Sequence, residues 1–229
     1  MSKQTIDVLK NMSQVHNSLI VREPNCIMTT NFEHNVIVVY DTGTDETFDK
    51  EFGLFDLREF LGVVSLFNPE DTEFDFKDKF VTVKDKHHRV EYAYTQMNLI
   101  KIGQNLKESA RYKGFDRFDS TFSLSHSDIS RITKSATVMF GGYIDDTTVQ
   151  IKTGNGKGLA EVAAPEGGSR NNFRLRLADV EGSGKAEIPV TNLMVCRGDY
   201  EVSIANDRLI KLAHKDIPLF YILTLIKDR

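Results

Sequence analysis

Between residues 53 and 94 the chain carries a pattern that leaves few folds open: a short amphipathic helix followed at once by a charged β-hairpin. Asp56 opens the helix, Leu57, Phe60, Leu61 and Val64 recur at spacings of three and four, and Asn68-Pro69 stops it. Glu59, three residues after Asp56, makes a capping-box pattern, in which each side chain satisfies a backbone N–H left open at the helix start. Residues 73–76 and 80–84 then alternate across Lys77-Asp78-Lys79, putting Phe74, Phe76, Val81 and Val83 on one side, and residues 90–94 add a third strand.

The same order returns near the end of the chain. Residues 72–94 and 199–223 each open on an acidic/aromatic pair, form a strand, turn on a pair containing Asp, and form a second strand. Each then has a basic corner (Asp85-Lys86-His87-His88 against His214-Lys215-Asp216) and a last strand bearing aromatic residues. A short helix precedes each hairpin; in the second half it is expected over 188–196, with Pro189 in its first turn and Gly198 after its end. An amphipathic helix also opens each half. Ile6, Leu9, Met12 and His16 form its stripe over 5–15, and Ile129, Ile132, Ala136 and Met139 follow a Ser125/Asp128 capping box. Strands are expected at 19–22, 27–31, 36–40, 48–54, 143–152, 173–177, 200–205, 208–213 and 219–226. An offset of about 120 to 130 residues is too long for a solenoid and fits two copies of one domain. The expected division is a first domain over 1–103, a linker over 104–118 rich in Lys, Arg, Gln and Gly, and a second domain over 119–229.

Composition narrows the function. With 40% hydrophobic and 27% charged residues the chain is globular, and its formal charge of −4 requires any nucleic-acid contact to come from a local basic surface. Cys26 and Cys196 stand far apart beside apolar residues and read as free buried thiols of a reducing cytosol. No apolar run approaches the roughly 18 residues of a membrane span, and no signal-peptide pattern opens the chain, so a soluble intracellular protein without membrane contact is expected. Gly154-Asn155-Gly156-Lys157-Gly158 lacks the Gly-Lys-Ser/Thr ending of a phosphate loop and reads as a hairpin turn. His87 and His88 are adjacent on a strand and point to opposite faces, so they do not share a metal. No nucleophile–base pairing has a supporting context. Neither a catalytic residue, a metal nor a cofactor is expected.

Ser2-Lys3, Leu9-Lys10-Asn11, Cys26-Ile27-Met28-Thr29 and the string LREFLGVVSLF at 57–67 resemble the sliding clamps of T4-like bacteriophages, most closely over residues 2–84. The second half agrees in element order and in its Asp128-Ile129…Lys134 helix. The resemblance implies an α+β chain with the DNA-clamp fold: two similar domains, each with two helices packed on antiparallel β-sheets, assembled as a ring. Three head-to-tail subunits would close a homotrimer around duplex DNA. Such a protein is a processivity factor in the cytoplasm of the infected host, not an enzyme. It binds double-stranded DNA without regard to sequence, is loaded by a clamp-loader ATPase complex and tethers the DNA polymerase. Phage late-transcription factors are further partners on the same resemblance.

Lys10, Arg58, Arg131 and Lys134 lie off the apolar stripes of their helices, and Lys3 stands just before the first helix. The resemblance makes these five the channel-facing, phosphate-attracting residues, with acidic charge left on the outer surface. It also implies an apolar docking pocket for partner peptides beside the linker and the C-terminal strands. Ile102, Leu106, Tyr112, Tyr221 and Leu223 are its candidates, although Tyr221 and Leu223 read equally as core. A phage structural or assembly ring built from duplicated β-rich domains is the alternative, and it would not need basic helix faces.

Overall fold

Residues 1–33, 35–44, 46–100, 117–163, 172–205 and 208–225 are described by the computed structural model. The chain divides into two units, Met1–Gly114 and Phe115–Arg229.

In the first unit α1 (Lys3–Val15) starts at Ser2, whose hydroxyl accepts the Thr5 N–H at 3.1 Å. Thr5, Val8, Leu9 and Met12 are its buried stripe; Ile6 is only half-buried. His16 is the residue that ends α1, its ring edge-on to Phe32 at 4.5 Å. Strands β1 (Leu19–Arg22), β2 (Cys26–Thr30), β3 (Val36–Asp41) and β4 (Phe52–Leu54) form an antiparallel sheet in the order β3-β2-β1-β4. Five consecutive residues of β3 are buried, so both faces of that strand are covered. The strand expected over 48–54 is shorter than its apolar ends suggest. Lys50 leaves the sheet to pair with Asp78 at 2.5 Å, while Phe48 turns in edge-on against Phe52 and Phe76. Next, α2 (Leu57–Val64) buries Leu57, Phe60 and Val64, and β5 (Glu73–Phe76), β6 (Phe80–Lys84) and β7 (Arg89–Ala93) form a separate meander. Its register sets Phe74 opposite Val83 and Phe76 opposite Val81, as the alternation requires.

In the second unit β8 (Ser120–Leu124) precedes α3 (His126–Phe140). Both halves of the Ser125/Asp128 capping box are made, and Ile129, Ile132, Ala136 and Phe140 are buried. A 3₁₀ turn (Gly141–Asp146) follows, replacing the start of the strand expected at 143–152. Strands β9 (Thr148–Gly154), β10 (Lys157–Ala163), β11 (Phe173–Gly182), β12 (Gly184–Pro189), β13 (Tyr200–Ala205), β14 (Leu209–His214) and β15 (Leu219–Thr224) complete the unit. Its strand order is β12-β9-β10-β11-β8-β13-β14-β15, every pair antiparallel.

The two units share a topology. In the first, β1 pairs with β2 and β4, and β2 with β3. In the second, β9 pairs with β10 and β12, and β10 with β11. Each four-strand block follows an amphipathic helix and is followed by a three-strand meander, β5-β6-β7 or β13-β14-β15. The differences are local. The helix expected over 188–196 is a single 3₁₀ turn, Val190–Leu193, because residues 184–189 continue as β12 up to Pro189. The turn Asn155-Gly156 closes the β9/β10 hairpin with positive φ at both residues, 52° and 69°.

The long strand β11 changes neighbours along its length. Phe173 to Leu177 pair with β10, a bulge intervenes between Ala178 and Glu181, and the strand then pairs with β8. Gly182 ends it at φ 73°, and a Cβ there would collide with the Asp119 carbonyl oxygen. Gly156→Ala meets open space and is expected to cost only the left-handed backbone penalty, about 1–2 kcal/mol. Gly182→Ala adds the collision with backbone and is expected to lower the thermal unfolding midpoint distinctly further. Equal midpoints for the two variants would show that β11 does not depend on this close approach.

Candidate nucleic-acid interface

Helices α1 and α3 bury one stripe and leave another in solvent, and the exposed stripes are cationic. Along α1, Lys3, Asp7, Lys10 and Gln14 follow at spacings of four, three and four and are all exposed. Lys3 lies inside the first turn of α1, not ahead of the helix. Lys10 Nζ stands 3.1 Å from Asp7 Oδ1, with both side chains more than half exposed, so the pair is weak. Along α3, Ser127, Arg131, Lys134 and Val138 form the equivalent exposed stripe. Asp128 is held by the capping box and stands 4.0 Å from Arg131, which leaves the arginine poorly neutralised. Each of these two stripes thus carries two basic residues, in a chain with 33 acidic residues against 29 basic.

Arg58 is positioned by long-range contacts. The α2 start docks on the segment that follows α1: Leu57 N–H donates to the Asn17 carbonyl at 2.7 Å, and Arg58 N–H to Asn17 Oδ1 at 3.0 Å. The Arg58 guanidinium reaches back to the Ser13 carbonyl at 3.3 Å while staying exposed. Asn17 therefore orients both α2 and its arginine. No periodicity in the chain announces this role, because the partners lie about forty residues apart in sequence.

The cap of α2 is half a capping box. Asp56 Oδ1 accepts the Glu59 N–H at 2.8 Å, but the Glu59 carboxylate takes a bond from the Tyr92 hydroxyl at 3.2 Å. Tyr92 also donates to the Asp56 carbonyl at 2.8 Å, which ties α2 to β7. Burial, with the Glu59 charge beside it, raises the Tyr92 hydroxyl above its ordinary value. The Glu59 N–H holds the Asp56 carboxyl below the ordinary carboxylate value.

Two of the residues expected to line the docking pocket do not face solvent. Tyr221 and Leu223 are 1% and 0% exposed. The Tyr221 hydroxyl accepts the Cys196 N–H at 2.9 Å, and Leu223 is opposite Ile210. They are core residues. Ile102, Leu106 and Tyr112 lie outside the described residues, as do the 104–116 part of the expected linker and the glycine-rich stretch at 165–171. Cys26 and Cys196 are not joined in a disulfide and are half-buried, less enclosed than expected. Among the described residues no group of His, Cys, Asp or Glu is arranged to hold a metal ion, and no helix is long and apolar enough to cross a membrane.

The comparisons with known proteins agree on the fold. No family model matches the chain. A protein described as a sliding clamp, from Vibrio phage KVP40, is 26% identical over 208 residues, covering 89% of each chain. The PCNA of A. fulgidus, solved with the C-terminal region of FEN-1 bound, superposes with a TM-score of 0.73 at 12% identity, covering 98% of this chain and 95% of that one. The DNA polymerase beta subunit of Streptococcus pyogenes gives 0.71 at 13% identity, covering 97% of this chain and 64% of its longer partner. The fold is that of the DNA clamps.

Asp56 offers a test of how α2 is held. A carboxyl depressed in the folded state contributes stability that is complete above the ordinary value of about 3.9 and is lost as pH falls through the lower folded value. Asp56→Asn keeps a capping acceptor but does not titrate. Urea midpoints followed from neutral pH to about pH 3 are expected to fall less steeply in the variant; parallel curves would show that the Asp56 cap carries no pH-dependent stability.

Proposed function

We infer that the chain is a DNA sliding clamp, a ring-shaped processivity factor that encircles duplex DNA and tethers the replicative polymerase. The observation that carries this reading is the likeness to a phage sliding clamp along nearly nine-tenths of the chain, on a clamp fold. In it, Lys3, Lys10, Arg58, Arg131 and Lys134 face the DNA. Their role is attraction of phosphates without base readout, which permits sliding. No bond is made or broken by the protein itself. The polymerase, an ATP-driven loader and phage late-transcription factors are its partners, with the peptide-docking surface sought around Ile102, Leu106 and Tyr112.

Two strand edges support ring closure. Asp85 N–H donates to the His88 carbonyl at 3.0 Å and Tyr94 N–H to the Lys79 carbonyl at 2.9 Å. By alternation, Arg89, Glu91 and Ala93 of β7 turn their backbone groups away from β6. Across the β9/β10 hairpin the same alternation leaves Arg174 and Arg176 of β11 pointing away from β10. Among the described residues neither stretch has a strand on that side. An antiparallel pairing between copies that sets Glu91 opposite Arg176 places Val90 on Leu177, Tyr92 on Leu175 and Tyr94 on Phe173. A shift of two residues would set Arg89 against Arg176, which like-charge repulsion disfavours. Because β7 and β11 are different surfaces, the contact is head-to-tail, the kind that gives a ring when its rotation closes. Two units per chain favour three copies; two copies would need a third unit in each chain.

Mass in solution and retention on DNA test the reading together. A trimer that stays on closed circular DNA when loaded, and runs off after linearisation, is the expected result; a monomer that is not retained on closed circular DNA even with the loader supplied would refute it. Arg131→Glu with Lys134→Glu should lower polymerase processivity several-fold with the unfolding midpoint unchanged. Unchanged processivity would remove α3 from the DNA face. Glu91→Arg should weaken the trimer, and adding Arg176→Glu should restore it, each cross-strand pair being worth roughly 0.2–1 kcal/mol. A double variant no tighter than the single one rejects this register.

A further inference from the structure

The sheet face of the second unit that lies away from its core carries a second cationic surface, unrelated to the helices. Direct pairing across β12, β9, β10 and β11 brings Lys185, Lys152, Leu159 and Arg176 into one row. At the inter-strand spacing of about 4.8 Å the row is roughly 14 Å long. Lys157, two residues along β10 from Leu159, adds a further cation on the same face, opposite Gly154. All four basic residues are exposed. Lys152, Lys157 and Arg176 have no carboxylate partner among the described residues.

The acids of this face stand one row away and are engaged. Glu187 accepts from Thr148 at 2.7 Å and Glu161 from Arg174 at 3.1 Å. The opposite face, with Val149, Ile151, Ala160, Val162 and Ile188, is buried. Lys152, Lys157 and Arg176 therefore have no structural task in the core, and among the described residues no carboxylate pairs with them. Between them lies a depression of about 620 Å³ beside the Asn155-Gly156 turn, lined by Lys152, Lys157 and Arg176 together with Leu159 and Leu177. Glycines at 154, 156 and 158 keep its rim low.

We propose that this depression is a docking site for a short, extended acidic–apolar peptide segment of a partner protein. One apolar side chain sits on Leu159, and flanking Asp or Glu side chains reach Lys152 and Lys157, with Lys185 on the next strand. The concave shape and its apolar floor favour a peptide over duplex DNA, whose convex backbone would touch the cations and leave the depression empty. The charge pattern sets the chemistry: three lysines around leucine select carboxylates around an apolar anchor, and desolvation by that anchor strengthens the ion pairs at its rim. This site stands apart from the surfaces assigned to DNA and to ring closure. It shares Arg176 and Leu177, at its border, with the proposed subunit contact.

The test uses the full chain and a fluorescein-labelled ten-residue peptide in which Glu and Asp flank Leu and Phe, followed by fluorescence polarisation. Arg176 is left in place so that the subunit contact is untouched. Saturable binding that weakens with salt is expected, with a loss of at least about tenfold in Lys152→Glu/Lys157→Glu, whose oligomeric mass and unfolding midpoint should match the wild type. A peptide with Gln in place of its acids should bind at least about tenfold more weakly than the acidic one. The proposal is overturned if the wild type does not bind the acidic peptide, if the double variant binds it equally well, or if the Gln peptide binds as tightly. It is also overturned if the double variant loses affinity for a 20-base-pair duplex while keeping the peptide, which would make the patch a nucleic-acid contact.

Discussion

The docking of a narrow apolar stripe from each helix onto its sheet is the contact on which the rest of the molecule depends. Val8, Leu9 and Met12 of α1, and Ile129, Ile132, Ala136 and Phe140 of α3, are all buried. Each large side chain so buried stabilises by roughly 1.5–3 kcal/mol, whereas an exposed ion pair such as Lys10–Asp7 contributes at most about 1 kcal/mol. Position and charge are thereby separated. The buried stripe decides where the helix lies, and the exposed stripe is free to be chosen for what it meets in solution. That Lys3, Lys10, Arg131 and Lys134 occupy exposed stripes of an acidic chain has no explanation in packing, which is why the nucleic-acid reading has physical content.

The second constraint is duplication with local divergence. The four-strand blocks β1–β4 and β9–β12 have one pairing scheme, yet α2 has only the 3₁₀ turn Val190–Leu193 at the matching place. The chemistry of the two segments accounts for this. Before α2 stands an Asp whose side chain caps, followed by Leu, Arg, Glu, Phe and Leu; at 189–194 the chain reads Pro, Val, Thr, Asn, Leu, Met, with two β-branched residues and no cap bond. The chain beyond is pinned otherwise. The Tyr200 hydroxyl donates to the Cys196 carbonyl at 2.6 Å and Cys196 N–H to the Tyr221 hydroxyl at 2.9 Å. Burial raises both phenols above their ordinary values, so they remain protonated and keep these bonds. The same contacts take Tyr221 out of any solvent-facing pocket.

What was legible in the sequence follows from how local each signal is. The Ser125 capping box and the register of the β5/β6 hairpin are written within windows of a few residues, and both form; the stripes of α2 and α3 form with Leu61 and Met139 only half-buried, and Asp56 caps α2 without the return bond from Glu59. The strands β8, β10 and β12 were not legible; in β8, Ser-Thr-Phe-Ser-Leu is too short and polar to stand out until β11 and β13 flank it. Pro189 misleads for a related reason: it suits the first turn of a helix and equally the end of an edge strand, and only β9 decides between them. The site was legible in part. Off-stripe cations can be picked from periodicity, but the hold of Asn17 on Arg58 and the burial of Tyr221 and Leu223 are long-range facts. The cationic row was not legible either: Lys152, Lys157, Arg176 and Lys185 become neighbours only once four strands are laid side by side, so no run of charge in the chain discloses them.

Two cationic surfaces of different construction then have different consequences. On the helices the basic residues are spaced along exposed stripes with no depression between them, an arrangement suited to many weak and exchangeable phosphate contacts. Since affinity for duplex DNA falls with salt in proportion to the phosphates neutralised, a surface that held DNA tightly through such contacts would also hold it still. Sliding requires the opposite, and retention must come from topology. In the proposed ring, topology rests on strand edges only about five residues long, whose backbone bonds and apolar pairs would add up to a modest contact. A modest contact is what a ring needs if it must open to admit DNA and then stay shut without further input. On the sheet, by contrast, lysines converge on one apolar floor, and convergence favours a single bound segment over a travelling one. On the proposed reading the same residue type, Lys, serves loose tracking where it is spread along a helix and local capture where neighbouring strands gather it.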